Sequence, residues 1–435
     1  MTQVQNSNSL SPTAWPSPPK LGRGEVLFAF FLPIWAKKTL KDSSPALEGG
    51  GRGMGAAAGQ PQPAINGRFL AGVLVKAALL FAVLNLLFAL VYPMGFLGRI
   101  SLYNILFPGR ERLPFGEDQA HAYNLSMYNL DAMFASLRLN GTPKPADEYR
   151  VLVIGDSSVW GTLLKPGETL SGQLDAAHLT CGGKTVRVYN LGYPTLSVTK
   201  DLMLLQEAVQ RYQPDRILWM VTLEGLPREL QLNSPLLANN ASRAASLIKT
   251  YNLALDPTDP ALVQPSFWDR TLAGARRPLA DLVRLQLYGE MWGATGIDQV
   301  YPAKFDAAQR DFNTDVTFHG RPGPTLDPAS LALDVLPAGV RLAGNVPVTF
   351  VNEPILISSG TNSSLRYDFY YPRWAYDQYR QIIGGMAQSE GWQYLDLWNL
   401  VDEKQFTNSA IHLTPAAEQM LAARVGQELV SSCGK

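Results

Sequence analysis

Hydrophobic and polar positions alternate in two distinct ways along this chain. Over residues 69–93 the sequence FLAGVLVKAALLFAVLNLLFALVYP is apolar on every helical face, interrupted only by Lys76 and Asn85. A run of about 20 apolar residues matches the hydrocarbon thickness of a bilayer, whereas the helix of a globular protein keeps a polar face. The pattern predicts one transmembrane helix, with Lys76 reaching outward to the interface. The run starts far from the N-terminus, is too long for a signal-peptide core and has no small-residue cleavage site after it, so a retained anchor is expected.

From Tyr149 the pattern changes to short apolar runs that end in small or polar residues: YRVLVIGDS, KTVRVYNLG, DRILWMVTLEG, VPVTFVNEP and QYLDLW. Such runs suit parallel strands buried on both faces, and the helical stretches between them, 202–212 and 374–390 among them, suit the covering layers. The expected fold is α/β, a flavodoxin-like doubly wound three-layer sandwich over 149–432, with ligands at the carboxyl ends of its strands. The third and fourth strands are separated by about 227–344, too long for an ordinary connection. With helices expected at 241–251 and 278–292, this insertion reads as a lid bordering the site, or as mere decoration.

Two further stretches flank the membrane run. Residues 1–68 are rich in Pro, Gly, Ser and Ala, a composition that predicts a flexible tail. Within it, VLFAFFLPIWA is too short to span and suits a segment lying at the membrane surface or against a membrane partner. Residues 94–148 form a connector in which Met127, Leu130, Met133, Phe134 and Leu137 recur at helical spacing, predicting a stalk helix that docks onto the domain. Lys20, Arg23, Lys37, Lys38, Lys41, Arg52 and Arg68 precede the membrane run. The positive-inside rule then places the N-terminus in the cytoplasm and the large domain outside.

Charge adds little. The 435 residues hold 37 basic and 37 acidic side chains, so no electrostatic footprint for nucleic acid exists. The two cysteines, Cys181 and Cys433, lack zinc-site spacing. They suit either a disulfide in an oxidising compartment or two separate buried thiols. Neither a metal nor a cofactor is expected.

The candidate chemistry lies at the ends of the domain. The first strand runs into GDSSVWG, which puts Ser157 at a strand-to-helix turn, where helix-start amides can stabilise an oxyanion. Asp156 is expected to anchor that turn rather than to react. Of the four histidines, His121, His178 and His319 stand in no motif, whereas His412 lies in IHLTPAA, just before a Thr-Pro helix start. These segments, with NLGYP between them, resemble the SGNH hydrolase superfamily of lipases and esterases over about 149–430, the insertion excepted. The resemblance implies Ser157 as nucleophile, His412 as general base, and the Ser157 and Gly192 amides as the oxyanion hole.

Two positions depart from the family pattern. Thr222, Leu223 and Glu224 stand where an asparagine usually joins the oxyanion hole, and Ser409 stands where the triad aspartate is usual. Asn408 or Ser409 is expected to orient the imidazole in a Ser/His dyad, with Asp396 and Asp402 as nearby acids. The topology also resembles the membrane-anchored accessory proteins of membrane-bound O-acyltransferase systems. That resemblance implies acyl transfer through a serine, by O-acylation (O-acetylation) or deacylation of a cell-surface polysaccharide. The implied partners are an acylated carbohydrate or acyl donor, the membrane and a multi-span O-acyltransferase. A binding or scaffold protein that keeps the fold without its chemistry is the alternative.

Overall fold

The computed structural model describes residues 66–107, 130–135, 137–141, 143–262, 264–296 and 304–433. The expected tail with its surface segment, and the Met127 end of the expected stalk helix, lie outside these residues. The chain divides into two units, Met1–Ala78 and Leu79–Lys435. The described part of the first is the opening half of helix α1 (Gly67–Val91), 25 residues that include an 18-residue stretch with a mean hydropathy of 2.5. Its apolar side chains are largely exposed, and its length and composition are those of a single membrane span.

Short helices α2 (Met94–Gly98), α3 (Leu102–Leu106) and α4 (Leu130–Ala135) follow. Of the expected docking stalk helix, the described residues include α4, which buries Leu130, Met133 and Phe134 in the domain core. Buried Asp131 on α4 takes ion pairs from Arg99 at 3.2 Å, Arg211 at 2.6 Å and Arg243 at 2.9 Å. One carboxylate thus ties the segment after α1 to the domain.

The domain then runs β1 (Glu148–Gly155), α5 (Ser157–Trp160), α6 (Leu170–Ala176), β2 (Thr180–Cys181), β3 (Lys184–Gly192), α7 (Val198–Tyr212) and β4 (Arg216–Val221). It continues with α8 (Pro235–Asn239), α9 (Ala241–Tyr251), α10 (Arg276–Thr295), α11 (Val335–Ala343), β5 (Val348–Asn352), α12 (Arg373–Glu390), β6 (Gln393–Asp396) and α13 (Pro415–Ser431). The sheet order is β2-β3-β1-β4-β5-β6. All neighbours are parallel except β2 with β3. Without β2 this is the doubly wound order of flavodoxin, reversing at β1, where the crevice for a ligand opens.

Strand alternation sends side chains to two separate cores. On β1, Leu152 and Ile154 join the core beneath α7, α9, α11 and α12, while Val151 and Val153 join the core beneath α6 and α13. Gly339 of α11 exists for packing: a Cβ there would lie 2.2 Å from the Trp219 ring of β4. Cys181 and Cys433 form a disulfide with a Cα–Cα distance of 5.4 Å, joining β2 to the residues after α13.

The insertion is only in part a lid. Leu236, Leu237, Ala244, Leu247 and Ile248 on α8 and α9 are buried in the core beside α7. Residues 304–326 do cross toward the carboxyl edge: Ala308 N donates to Thr407 O at 2.8 Å and Arg310 O accepts from Ser358 Oγ at 2.6 Å.

Candidate active site

At the end of β1 the chain turns sharply. Asp156 caps α5, its carboxylate accepting from Ser158 N at 2.8 Å, and Gly161 closes the single helical turn at φ 85°, a left-handed conformation that favours glycine. Ser157 is the first residue of α5, so its amide lies among those that no intrahelical carbonyl can satisfy. Below the turn, the fully buried Lys200 donates from Nζ to Gly155 O at 2.8 Å and Tyr193 O at 3.1 Å. Its charge is balanced by Asp201 at 2.6 Å. Nothing in the local sequence singles out Lys200.

His412 comes from the loop before α13. Thr407 donates to His412 O through its N at 2.9 Å and its Oγ1 at 3.2 Å, folding the loop back on itself. Thr414 then caps α13 by accepting from Ala417 N. The imidazole Nε2 lies 2.7 Å from Ser157 Oγ, and Nδ1 lies 2.8 Å from Asn408 Oδ1. With Nδ1–H donating to the Asn408 oxygen, Nε2 is left as the acceptor that faces the serine. Burial pushes the His412 imidazole down to about 4.

Of the two residues expected to orient the ring, only Asn408 does so. Ser409 is buried and hydrogen-bonds Tyr370 instead. The two nearby acids are not used either: Asp396 is held by Arg380 at 2.5 Å and by Asn352 Nδ2 at 2.8 Å, and Asp402 is exposed at the start of a short helical turn.

Gly192 requires a correction. Its amide donates to Asn190 Oδ1 at 2.8 Å, and Asn190 Nδ2 in turn donates to Val159 O at 2.7 Å. The amide is therefore satisfied within the protein rather than presented to an oxyanion. The glycine is needed for close approach, since a Cβ would fall 2.2 Å from Trp160 N. At the end of β4, Thr222 Oγ1 bonds Tyr371 Oη at 2.8 Å, and the Glu224 carboxylate is taken by His319 Nε2 at 3.0 Å. That bond raises the His319 pKa. No side-chain amide replaces the family's asparagine at these positions.

A second group of carboxyls lies behind the nucleophile. Buried Glu353, just past β5, hydrogen-bonds Ser158 Oγ, and its other oxygen has no partner among the described residues. Glu418 of α13, equally buried, also has an unpartnered oxygen, and both line a water-sized cavity with Ser158, Leu170 and Leu421. Burial holds Glu353 well above the usual carboxylate range, reinforced by Asp156, and raises Glu418 to about 8. A glutamate directly after a strand was the only sequence signal for Glu353. Glu418 had none.

No known family and no curated protein matches the chain. Among solved structures, it is similar to an aryl esterase of M. smegmatis at 14% identity and a TM-score of 0.28, covering 64% of this chain and 97% of that one. It is similar to a carbohydrate acetylesterase family member from Sinorhizobium meliloti at 12% identity and a TM-score of 0.27, covering 65% and 99%. A third is an alpha/beta hydrolase from the metagenome of Lake Arreo, at 15% identity and a TM-score of 0.28, covering 65% and 97%. The fold assignment rests on the sheet order itself. This chain is a doubly wound α/β sandwich in which Ser157, His412 and Asn408 meet at the carboxyl edge of the sheet.

Proposed function

We propose that this protein is a serine esterase or O-acyltransferase in which Ser157 is the nucleophile, His412 the general base and Asn408 the residue that orients the base. The carrying observation is the His412 Nε2 to Ser157 Oγ distance of 2.7 Å, with the far ring nitrogen bonded to Asn408 Oδ1 at 2.8 Å. Neutral His412 takes the serine proton as Oγ attacks an ester carbonyl. The developing oxyanion is met by the Ser157 amide at the start of α5. His412 then returns the proton to the departing alcohol, and a second hydroxyl, from water or from a sugar, takes the acyl group by the reverse steps. Asn408 supplies orientation without charge, as the asparagine of Cys-His-Asn sites does.

The reading extends to an acylated cell-surface glycan as substrate, with the domain outside the membrane and α1 as its anchor. Support comes from the apolar helix and from a disulfide that suits an oxidising compartment. A fluorophosphonate probe applied to the full chain tests the nucleophile. Covalent labelling that vanishes in Ser157→Ala is expected, and folded protein that takes no label sinks the reading. Incubation with an acyl donor and a glycan acceptor separates the two activities: free acid alone excludes transfer.

Two observations favour a second reading, a scaffold that has kept the fold and lost the chemistry. The ring is oriented by a neutral residue, and the Gly192 amide is occupied. Absence of probe labelling together with retained binding to a multi-span acyltransferase would support it.

A further inference from the structure

Residues 264–296 neither line the Ser157 site nor complete either core. Phe267 and Trp268, in the turn before α10, are 60% and 62% exposed. On α10, Val283, Leu287 and Met291 are exposed at four-residue spacing and form one stripe. The opposite side carries Gly289 and Gly293, closely approached by Tyr103 and Phe107 of the segment after α1. The helix is thus packed on one side and leaves an apolar stripe open on the other.

This surface is continuous with α1. Asn85, the one amide within the apolar run, accepts at Oδ1 from Ala273 N at 2.8 Å. The Arg270 guanidinium stands 5.5 Å from the Tyr92 ring centroid. Gln286 of α10 donates to Ile100 O at 3.0 Å and accepts from Leu102 N at 2.8 Å. Asn85 precedes the last residue of α1 by roughly 9 Å along the axis. The turn at 270–273 therefore runs beside the final turns of α1, at the level where a spanning helix meets the headgroups.

We propose that residues 266–295 are a second membrane contact, with Phe267, Trp268, Val283, Leu287 and Met291 seated in the interface of the bilayer that α1 crosses. The inference rests on reading α1 as a membrane span. Lipid is favoured as the occupant by chemistry as well as by continuity. Exposed aromatic side chains suit the interfacial layer, and the exposed Arg276 and Arg277 at the start of α10 carry charges that suit anionic headgroups.

Because both native cysteines are joined, a single new cysteine can carry an environment-sensitive fluorophore. The full chain is reconstituted in phosphatidylcholine and phosphatidylglycerol vesicles with the label at Trp268→Cys or Leu287→Cys. Two references accompany them: Leu80→Cys on α1 and Lys404→Cys on the exposed side of the domain. Unfolding midpoints confirm that each variant is folded, and the two test positions are independent. Labels at 268 and 287 are expected to be quenched by doxyl-labelled lipid and protected from aqueous iodide, while the label at 404 shows the reverse. Quenching by iodide at 268 and 287 overturns the proposal, and protection from both quenchers overturns it in favour of a protein occupant. A Leu80→Cys label that lipid does not quench would instead overturn the membrane reading of α1.

Discussion

Asn408 offers the His412 imidazole an oxygen but no charge, so in the proposed acyl transfer the imidazolium has no counter-ion at Nδ1 among the described residues. Asn408→Asp adds that charge, and the pKa of His412 rises from about 4. A base works above its pKa, so the acidic limb of the kcat/KM profile should move to higher pH in this variant and not in Asn408→Ser. Removing the oxygen altogether, in Asn408→Ala, frees the ring to turn and should lower kcat by about 10²-fold or more, read in steady-state assays. Ser157 and His412 were legible because each lies in a motif at an element boundary. The choice between Asn408 and Ser409 was not, since adjacent loop residues point in different directions and only the fold-back of Thr407 onto His412 O decides which one faces the ring. The same limit explains Gly192: its amide is taken by a side chain two residues upstream, a local bond that leaves no trace in spacing.

At Glu418 the sign of the pH dependence follows from burial. Its folded pKa of about 8 lies above the usual glutamate value, so the folded state favours the protonated form. Stability linked to this group is fully present below about pH 4.5 and is lost as pH rises toward 8. Glu418→Gln removes the loss and should stabilise the protein at pH 8 by roughly 1–3 kcal/mol, with little change at pH 4, as measured by denaturant unfolding.

Among the elements, the five parallel strands were visible as continuous apolar runs, and the sheet bears them out. β2 was not, because its two residues are too few to carry any period. That small edge strand nevertheless takes one end of the disulfide, whose other end follows α13. A cross-link across 252 residues restrains the unfolded chain strongly. Cys433→Ser should therefore cost about 2–5 kcal/mol, seen as a lower unfolding midpoint that reductant does not lower further. The helices at 241–251 and 278–292 were also anticipated, but their roles differ. α9 is part of the core, whereas α10 leaves a stripe of large apolar side chains exposed. Sequence periodicity marks an amphipathic helix without saying whether protein or lipid meets its apolar side.

For the whole molecule, Asp131 is the point where the segment after α1 and the α/β domain are joined. Its carboxylate draws in Arg99, Arg211 and Arg243, and these cations hold its pKa below the usual range despite the cost of burial. Asp131→Ala takes this partner from Arg99 and leaves Arg211 and Arg243 sharing Glu207 alone, and should destabilise the domain by about 3 kcal/mol, read by denaturation of the detergent-solubilised full chain. The charge balance of the composition hid this cluster, since its members, Glu207 included, come from distant parts of the chain.

The bond from Ala273 to Asn85 bears on how the protein can be prepared. Cutting the chain after Val91, the natural choice for a water-soluble fragment, removes the acceptor of the Ala273 amide and uncovers the turn that packs against α1. Phe267, Trp268 and the α10 stripe would then meet water together with that bared surface. Such a fragment is expected to self-associate, and detergent or additional polar substitutions on α10 would be needed to keep it monomeric.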